Sequence, residues 1–379
     1  MDLQDYRKQI DEIDDQLVEL FARRMEVAGN IAQYKQEHGL PVLDSARERQ
    51  KLQEICGKAS ADMQNYTSVL YSSIFELSRS YQSHQMQGYS ALSERITAAI
   101  EQTPKLFPPD AMVAVCGVEG AYAQLAGEKL FKRPAMMYFN SFDGVFSAIE
   151  SGLCQYGIVP IENSTAGSVK RIYDLMIGHQ FSIVRSTRLK VDHNLLAKPG
   201  TKLQDVKEIF SHEQALNQCS GFLKSLGVKV TAVENTAAAA QMVAQSDRTD
   251  VAALCSRSCM ELYGLSCLQA DVQDKGNNYT RFICISKNLE IYPGADRTSI
   301  MLATAHKPGA LYKLLARFYA LGINITKLES RPIPDRDFEF MFYFDLETSV
   351  YSPEFIQIIC ELSASTEEFT YLGSYTEVI

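Results

Sequence analysis

The first 86 residues carry apolar side chains at alternating spacings of three and four, the period of an α-helix. This apolar stripe consists of Ile10, Ile13, Leu17, Leu20, Val27 and Ile31. It predicts one helix from about Leu3 to Glu37, which ends at Gly39-Leu40-Pro41. A helix of that length is long for a globular domain and indicates packing against a second subunit. A second helix is predicted to begin near Asp44 or Ser45. A third presents one apolar face, made of Tyr66, Leu70, Ile74, Leu77 and Tyr81.

Residues 87–110 contain Gly88, Pro104, Pro108 and Pro109, and they are predicted to form a linker with one or two amphipathic turns. After it, short apolar runs alternate with helical stretches, a pattern typical of parallel α/β sheets. The predicted strands are Met112–Cys116, Tyr156–Ile161, Ser182–Leu189, Glu208–Ser211, Lys229–Val233, Val251–Leu254 and Phe282–Ser286. A break near residues 190–199 predicts two lobes with a ligand cleft between them.

From Thr298 onward the order of predicted elements is βαββαβ, which indicates a small ferredoxin-like module. The elements are strand Thr298–Ala305, helix Leu311–Leu321, strands Asn324–Ser330 and Phe338–Leu346, helix Pro353–Leu362 and strand Phe369–Gly373. The sequence therefore predicts a multidomain protein. An all-α three-helix module comes first, a two-lobed α/β domain follows, and the ferredoxin-like module comes last.

The charge balance limits the class of ligand. The chain has 37 Lys and Arg against 46 Asp and Glu, a net charge of −9, so we expect no nucleic-acid or membrane partner. An anionic substrate must instead be bound by locally placed cations. No apolar run approaches the ~18 residues of a membrane span, and the start lacks an export-signal pattern, so we expect a cytoplasmic protein. The nine cysteines suggest neither disulfides nor a metal site, and we expect no cofactor.

Cations occupy the apolar stripe of the first helix. Arg24 lies between Leu20 and Val27, and Lys35 lies on the same face. Their backbones are roughly 16 Å apart along the helix axis, so their long side chains could bind one small dianion between them. Arg7 lies at the edge of the stripe. Each cation alone could simply reach solvent from an apolar face, but three of them in an acidic chain favour an anion site.

The two shorter helices carry polar side chains that could complete this site. Arg47 and Glu48 open the second helix, and Ser78 and Gln82 flank the apolar face of the third. Other interpretations remain open, because Ser45 and Glu48 fit a capping box and the third-helix pair could be a solvated edge.

Together these positions resemble the all-helical chorismate mutase family over about residues 1–86. The residues identical in type to the family's substrate-contacting positions are Arg7, Arg24, Lys35, Asp44, Arg47, Glu48, Ser78 and Gln82. The resemblance implies a pericyclic rearrangement of chorismate to prephenate, for which the site holds a compact conformer and stabilises charge on the breaking ether oxygen. It implies that the three arginines bind carboxylates, that Lys35 and Gln82 donate to the ether oxygen, and that the remaining three lie near the ring hydroxyl and the edges of the site.

Polar clusters follow several predicted strands of the middle region, where open α/β sheets bind ligands. The clusters are Glu162-Asn163-Ser164-Thr165-Ala166-Gly167-Ser168, Ser211-His212-Glu213-Gln214 with Gln218-Cys219, Asn235-Thr236, and Asn278-Tyr279-Thr280-Arg281-Phe282. Taken singly, Ser211, Thr165 and Thr236 are also consistent with helix N-caps. A helix start can itself bind an anion, so the two interpretations are compatible.

These clusters resemble prephenate dehydratase over roughly residues 111–288. The implied substrate-binding residues are Glu162, Asn163, Ser164, Thr165, Ser211, Gln214, Thr236, Thr280, Arg281 and Phe282. The resemblance makes Thr280 the essential residue near the departing hydroxyl of prephenate. Arg281 should point away from Thr280 in a regular strand, and a structural role for it is equally plausible. The turn Gly117–Ala123 departs from the family, because alanines stand where hydroxyl residues are usual.

The C-terminal module, residues 297–379, resembles ACT regulatory domains that bind phenylalanine. The matching residues are Gly309, Ala310 and Leu311 at a predicted helix start, Glu329 and Ser330 at a strand end, and Asn324. The resemblance implies feedback inhibition by phenylalanine and a homodimer or higher homo-oligomer. A module that only dimerises is one alternative. Two others are an amino-acid-binding regulator without catalysis, and a protein in which one of the two activities is vestigial.

Overall fold

The computed structural model describes residues 2–86, 91–304, 306–337, 339–352, 355–356, 358–359, 362–363, 366 and 368–379. The chain divides into two compact units, which we describe separately. The first comprises Met1–Arg95, Thr304–Asn324 and Tyr351–Glu368, and the second comprises Ile96–Ala303, Ile325–Val350 and Phe369–Ile379. Within the described ranges, none of the helices combines the length and apolar character needed to cross a membrane.

The helices follow one another along the whole chain. They are α1 (Leu3–Glu37), α2 (Ser45–Cys56), α3 (Gln64–Gln85), α4 (Ala91–Gln102), α5 (Tyr122–Leu130), α6 (Phe142–Glu150), α7 (Lys170–Gly178), α8 (Glu213–Gln218), α9 (Ser220–Leu226), α10 (Thr236–Gln245), α11 (Ser258–Leu262) and α12 (Ala310–Ala320). A 3₁₀ turn spans Leu203–Asp205.

The strands begin after α4. They are β1 (Asp110–Cys116), β2 (Arg133–Phe139), β3 (Tyr156–Asn163), β4 (Gly167–Ser168), β5 (Ser182–Lys190), β6 (Asn194–Ala197), β7 (Glu208–Ser211), β8 (Lys229–Ala232), β9 (Val251–Cys255), β10 (Ser266–Gln269), β11 (Tyr279–Ser286), β12 (Arg297–Ala303), β13 (Asn324–Pro332), β14 (Phe340–Glu347) and β15 (Glu368–Val378).

The three predicted N-terminal helices are confirmed as α1, α2 and α3. Asp2 caps α1 in a capping box with Asp5, and Asp44 caps α2 by accepting from the backbone N–H of Arg47. Along α1 the buried residues are Ala28 and Ala32. The apolar stripe predicted from the sequence is exposed along its whole length, from Ile10 at 56% to Ile31 at 44%.

The second unit contains a large mixed sheet with strand order β13-β14-β12-β15-β5-β11-β3-β1-β2, and β4 pairs with β3. Strand β1 is parallel to β2 and β3, whereas β11 is antiparallel to both of its neighbours, β3 and β5. The expectation of parallel sheets therefore holds for β1, β2 and β3 but not for β11. Apolar runs identify strands, but they do not reveal that β11 returns between β3 and β5 in the opposite direction.

A smaller sheet in the same unit has the order β10-β6-β9-β7-β8, again with both strand directions. Strand β6 lies where the sequence predicted only a break between lobes. It was missed because its four buried residues are too few to show a period. Strand β2 was also missed, since its side chains are half-buried or exposed on both faces. The large sheet also contains β12, β13, β14 and β15, the strands of the predicted C-terminal module.

Two predictions fall partly on residues that the structure does not describe. Residues 87–90 of the predicted linker are among them, Ala91–Gln102 form the regular helix α4 instead of isolated turns, and residues 103–109 are irregular. The predicted helix Pro353–Leu362 lies in part outside the described residues, so its bounds are not given. The strand predicted from Phe338 is β14, which begins at Phe340.

Candidate active sites

In the first unit, Arg24 extends from α1 toward α3. Its guanidinium donates a hydrogen bond to the Ser78 hydroxyl and lies 5.7 Å from the centroid of the Phe75 ring. Burial lowers the pKa of Arg24, and the nearby Tyr71 and Glu48 only partly oppose that shift. No carboxylate in the described residues forms an ion pair with it. An anionic ligand bound beside this half-buried guanidinium would stabilise its charged form.

Lys35 is a second inward cation without an ion-pair partner among the residues described here. Its ammonium donates to the backbone carbonyl of Val42 at 2.6 Å and to Gln82 Oε1 at 3.4 Å. Gln82 and Ser78 are both buried on α3. The structure thus brings together four of the predicted mutase residues from two helices, as the sequence pattern indicated.

Glu48 lies at the start of α2 and pairs with Arg79 of α3. Arg79 pairs in turn with the buried Glu76, which also binds Arg317 of α12 at 2.8 Å. Glu48 is therefore held in one orientation by a charged partner. Arg79 was not predicted, because a cation next to Ser78 carries no periodic signal of its own.

The three remaining mutase residues lie on the surface of this unit. Asp44 is exposed and is used as the cap of α2, and Arg47 lies beside it at the start of the helix. Arg7 is exposed near the start of α1, far along the helix from Arg24. The single chain does not bring Arg7 together with the other predicted residues.

In the second unit, a hydrogen-bonded network surrounds Thr280, which lies near the start of β11. Asn163, at the end of β3, donates through Nδ2 to Thr280 Oγ1 at 2.9 Å and to Asn278 Oδ1 at 2.7 Å. Asn163 Oδ1 accepts from the hydroxyl of Thr165 at 2.7 Å, and Gln218 Nε2 donates to that hydroxyl at 2.9 Å. Residues from both lobes therefore meet here.

A cavity of about 550 Å³ adjoins this network, a size that suits a small metabolite. Its lining residues are Thr165, Ala166, His212, Glu213, Gln214, Asn217, Gln218, Gln273, Asp274, Lys275 and Asn278. Thr280 does not line it directly and is joined to it by its network partners. The cavity is rich in amide and hydroxyl groups, which can bind oxyanions and a keto group by hydrogen bonds.

The other predicted dehydratase residues occupy varied positions. The hydroxyl of Ser164 binds the segment that precedes β11, donating to the Asn277 carbonyl at 3.1 Å and accepting from the Tyr279 N–H at 2.9 Å. Glu162 accepts from Lys327 at 2.8 Å. Gln214 lines the cavity, and Thr236 is the first residue of α10.

Neither Ser211 nor Thr236 is a helix cap, although their sequence positions allowed that role. His212 caps α8 and Asn235 caps α10. The Ser211 hydroxyl is fully buried and donates to the Leu254 carbonyl at 2.6 Å, so it joins two strands of the small sheet. Its hydrogen is therefore used within the fold.

Arg281 and Phe282 also have partners inside the fold. Arg281 points away from Thr280, as expected for neighbours in a strand, and forms a buried ion pair with Asp345 of β14. Its guanidinium also donates to the hydroxyl of Tyr375 of β15 at 2.9 Å. Phe282 is 3% exposed and packs in an apolar cluster. Both side chains therefore act in the packing of this unit.

The glycine-rich turn has the backbone geometry that its composition suggests. Gly117 and Gly120 have φ of 111° and 90°, a region that favours glycine. A Cβ at Gly120 would lie 3.0 Å from a methyl carbon of Leu262. Ala121 and Ala123 are buried and lack hydroxyl groups, so these two positions can offer a ligand only their backbone.

The predicted effector residues divide between the two units. Gly309 has a φ of 80° and precedes α12 without a side-chain cap, next to Ala310 and Leu311. In the second unit, Glu329 accepts from the Ser168 hydroxyl at 2.6 Å, and Ser330 is exposed on β13 between the half-buried Glu329 and Arg331. Asn324, the first residue of β13, is exposed.

Several residues of the dehydratase network were missed from the sequence. Gln218 and Asn278 were noted within clusters but not assigned, and His193 was not noticed. His193 Nε2 lies 2.8 Å from Gln218 Oε1, and the residue is 2% exposed. A detectable signal was the position of Asn278 two residues before Thr280. A lone histidine carries no comparable signal.

Comparison with known proteins identifies two families along the chain. Residues 6–83 match the family of chorismate mutase type II, and residues 113–290 match the prephenate dehydratase family. A prephenate dehydratase from Arthrobacter aurescens, solved in complex with L-Phe, superposes with a TM-score of 0.65 at 26% identity. The match covers 70% of this chain and 90% of the other.

Curated relatives extend the match. An Arabidopsis thaliana chloroplastic arogenate dehydratase/prephenate dehydratase 2 is 37% identical over 275 residues, which is 69% of this chain and 72% of the relative. The Escherichia coli K12 bifunctional chorismate mutase/prephenate dehydratase is 32% identical over 379 residues, which is 97% of this chain and 95% of the relative. The chain therefore belongs to the family of bifunctional chorismate mutase/prephenate dehydratases and carries both activities.

Proposed function

We propose that the mutase activity resides around Arg24 and Lys35 and the dehydratase activity around Thr280, and that phenylalanine inhibits the enzyme through its C-terminal part. The observation that supports the mutase site best is the pair of inward cations, neither with a carboxylate partner in the described residues. Chorismate is a dicarboxylate, so it supplies the missing charges. Gln82 and Lys35 then provide donors for the breaking ether oxygen.

Phenylalanine sensing is supported by the arrangement of the last four strands. Their order, β13-β14-β12-β15, is that of a ferredoxin-like βαββαβ module, with the first and third strands in the centre. Gly309 leaves the first turn of α12 without a side-chain cap, so its N–H groups can bind a carboxylate. The prephenate dehydratase from Arthrobacter aurescens was solved with L-Phe bound.

Phenylalanine is expected to inhibit the dehydratase of the wild-type protein, and the Ser330→Ala variant should need about tenfold more of it for half-inhibition. The lost hydroxyl can contribute about one hydrogen bond to the ligand. The measurement is prephenate turnover against phenylalanine concentration. Thr326→Ala, on the same strand but outside the motif, is the matched control and should respond as wild type. Wild-type turnover that ignores phenylalanine would contradict the proposal.

We also propose that the mutase site is shared between two subunits. The apolar stripe of α1 stays exposed in the single chain, and leaving so many large apolar side chains in water is costly. Pairing of α1 with its copy would cover the stripe. The same pairing supplies Arg7 to the partner's site, because Arg7 lies far along the helix from Arg24 in its own chain.

Mixing two inactive variants tests this sharing. Arg7→Ala and Arg24→Ala, combined in equal amounts under conditions of subunit exchange, should recover about a quarter of wild-type mutase activity, because half of the dimers are mixed and one of their two sites is intact. The measurement is chorismate consumption before and after exchange. A mixture that stays inactive after exchange has been verified would mean that Arg7 acts within its own chain or not at all.

A further inference from the structure

The orientation of the Asn163 side chain is fixed by two backbone groups. Asn163 ends β3 and is 6% exposed. Its Oδ1 lies 3.1 Å from the N–H of Thr165 and 2.9 Å from the N–H of Ala166. Backbone amides only donate, so the atom facing them must be the carbonyl oxygen of the side chain. The Nδ2 group must therefore face the opposite way.

That opposite side holds Thr280. Asn163 Nδ2 donates to Thr280 Oγ1 at 2.9 Å, so the threonine hydroxyl is the acceptor of this bond. A hydroxyl has one hydrogen of its own. Among the residues described, no acceptor takes the hydrogen of Thr280. It remains available to a bound ligand.

The hydrogen bonds also fix the orientation of the polar side chains around Asn163. Asn278 Oδ1 accepts from Asn163, so Asn278 Nδ2 must donate, and it does so to Gln218 Oε1 at 3.1 Å. The amide of Gln218 is thereby oriented with its Nε2 toward the hydroxyl of Thr165 at 2.9 Å. The Thr165 hydroxyl is then free to donate to Asn163 Oδ1.

The last member is His193, whose Nε2 faces Gln218 Oε1 and must carry a hydrogen. Its Nδ1 is buried and has no hydrogen-bond partner in the described structure. Burial lowers the pKa of His193, so the ring is neutral near neutral pH. Every amide in the network thus has one orientation compatible with its partners. The orientation follows from the two backbone N–H groups of the loop.

Asn163 also has no capacity left for a substrate. Its two amide hydrogens are used by Thr280 and Asn278, with the Tyr279 carbonyl at 3.3 Å as a more distant acceptor, and its oxygen already accepts three bonds. We propose that Asn163 is a positioning residue, which holds Thr280 as a hydrogen-bond donor to the departing hydroxyl of the substrate. This inference rests on the dehydratase site proposed above. It assigns Asn163 a different task from the substrate binding that the sequence implied.

The donor matters because of how the reaction proceeds. The bond between the ring and its carboxylate breaks, the electron pair enters the ring, and the bond between C4 and its hydroxyl oxygen breaks. The products are CO2, hydroxide that takes a proton from solvent to become water, and the aromatic keto acid. Negative charge grows on the departing oxygen, and a fixed hydroxyl donor stabilises it. Thr280 needs to donate only a hydrogen bond, so its high intrinsic pKa is no obstacle.

The Asn163→Asp variant tests this assignment. Its carboxylate still accepts from the two backbone amides, but it presents an acceptor to Thr280, which then donates to it and loses its free hydrogen. We expect the dehydratase kcat to fall by at least about a hundredfold, with a much smaller change in KM. Asn278→Asp is the matched control, since it adds the same charge to the network yet leaves Asn163 Nδ2 facing Thr280. Its kcat should fall by no more than about tenfold.

The pH dependence of activity distinguishes the loss of the hydrogen-bond donor to Thr280 from a general disturbance of packing. As the pH is lowered, the carboxylate introduced by Asn163→Asp takes up a proton and can again donate to Thr280. Activity relative to wild type should therefore rise in Asn163→Asp and not in Asn278→Asp. Equal losses in the two variants, or a folded Asn163→Asp enzyme that stays inactive at acid pH, would overturn the inference.

Two further measurements distinguish unfolding, and failure of the Thr280 site itself, from failure of the positioning role. Circular dichroism checks folding, and if Asn163→Asp unfolds at neutral pH it is assayed at acid pH, where the introduced carboxyl group is neutral and nearly isosteric with the amide. Thr280→Ala is run in parallel, and full activity there would refute the Thr280 site itself. A loss in Thr280→Ala together with equal losses in the two aspartate variants would refute only the positioning role of Asn163.

Discussion

Replacing Arg24 by alanine is expected to lower the mutase kcat/KM by about 10²–10³ and to leave turnover of supplied prephenate unchanged. Arg24 is half-buried, has no carboxylate partner in the described structure, and lies beside Ser78 and Phe75. Its charge is therefore available for a carboxylate of chorismate as that substrate rearranges. The measurement is the initial rate of chorismate loss, with prephenate turnover recorded for the same preparation.

Arg23→Ala is the matched control for this change. Arg23 is the preceding residue of α1 and is exposed, so its removal alters the charge of the chain equally without touching the site. We expect its mutase rate to stay within about twofold of wild type, as for most surface substitutions. If Arg24→Ala instead stopped prephenate turnover and spared chorismate loss, the assignment of the two activities to the two parts of the chain would be wrong.

Thr280→Ala is expected to lower the dehydratase kcat by about 10²–10⁴ and to leave the mutase intact. The alanine lacks the hydroxyl hydrogen that the Asn163 network leaves free for a ligand. Prephenate turnover, followed by phenylpyruvate formation, measures the loss. Chorismate consumption by the same protein shows that the rest of the chain is functional.

Thr280→Ser restores the hydroxyl and should recover most of this activity, because Asn163 can orient a serine in the same way. Thr280→Val keeps the shape of the side chain without its hydroxyl and should behave like alanine. A valine variant as active as wild type would show that the hydroxyl has no part in the reaction, whatever its position.

The helical part of the fold was predictable from the sequence because its signal is local. The stripe on α1 repeats within a few residues, and Arg24 and Lys35 are conspicuous where that stripe should be apolar. Most strands of the second unit were also found, since buried β-runs such as Val251–Cys255 are apolar throughout.

The rest depends on contacts between distant segments, which leave no period in the sequence. Arg281 forms an ion pair with Asp345, 64 residues further along the chain, and nothing near either residue in the sequence identifies its partner. His193 and Gln218 are 25 residues apart, and their bond depends on strand order and loop geometry. The orientation of Asn163 is set by backbone groups, which every residue possesses, so side-chain patterns cannot reveal it.

The pairing of β15 with β5 has a practical consequence for engineering a phenylalanine-insensitive enzyme. The register joins Thr376 to Arg185 and Val378 to Thr187, so the end of the chain supplies a strand to the same sheet as Thr280. A chain shortened near Asp296 loses this strand and also Asp345, the ion-pair partner of Arg281, and it uncovers the edge of β5 together with the core that packs against β15. The exposed apolar surface costs about 25 cal/mol per Å², against about 5–15 kcal/mol for the whole stability of a typical domain. Desensitised enzymes should therefore be sought among single substitutions on β13 and not by deletion.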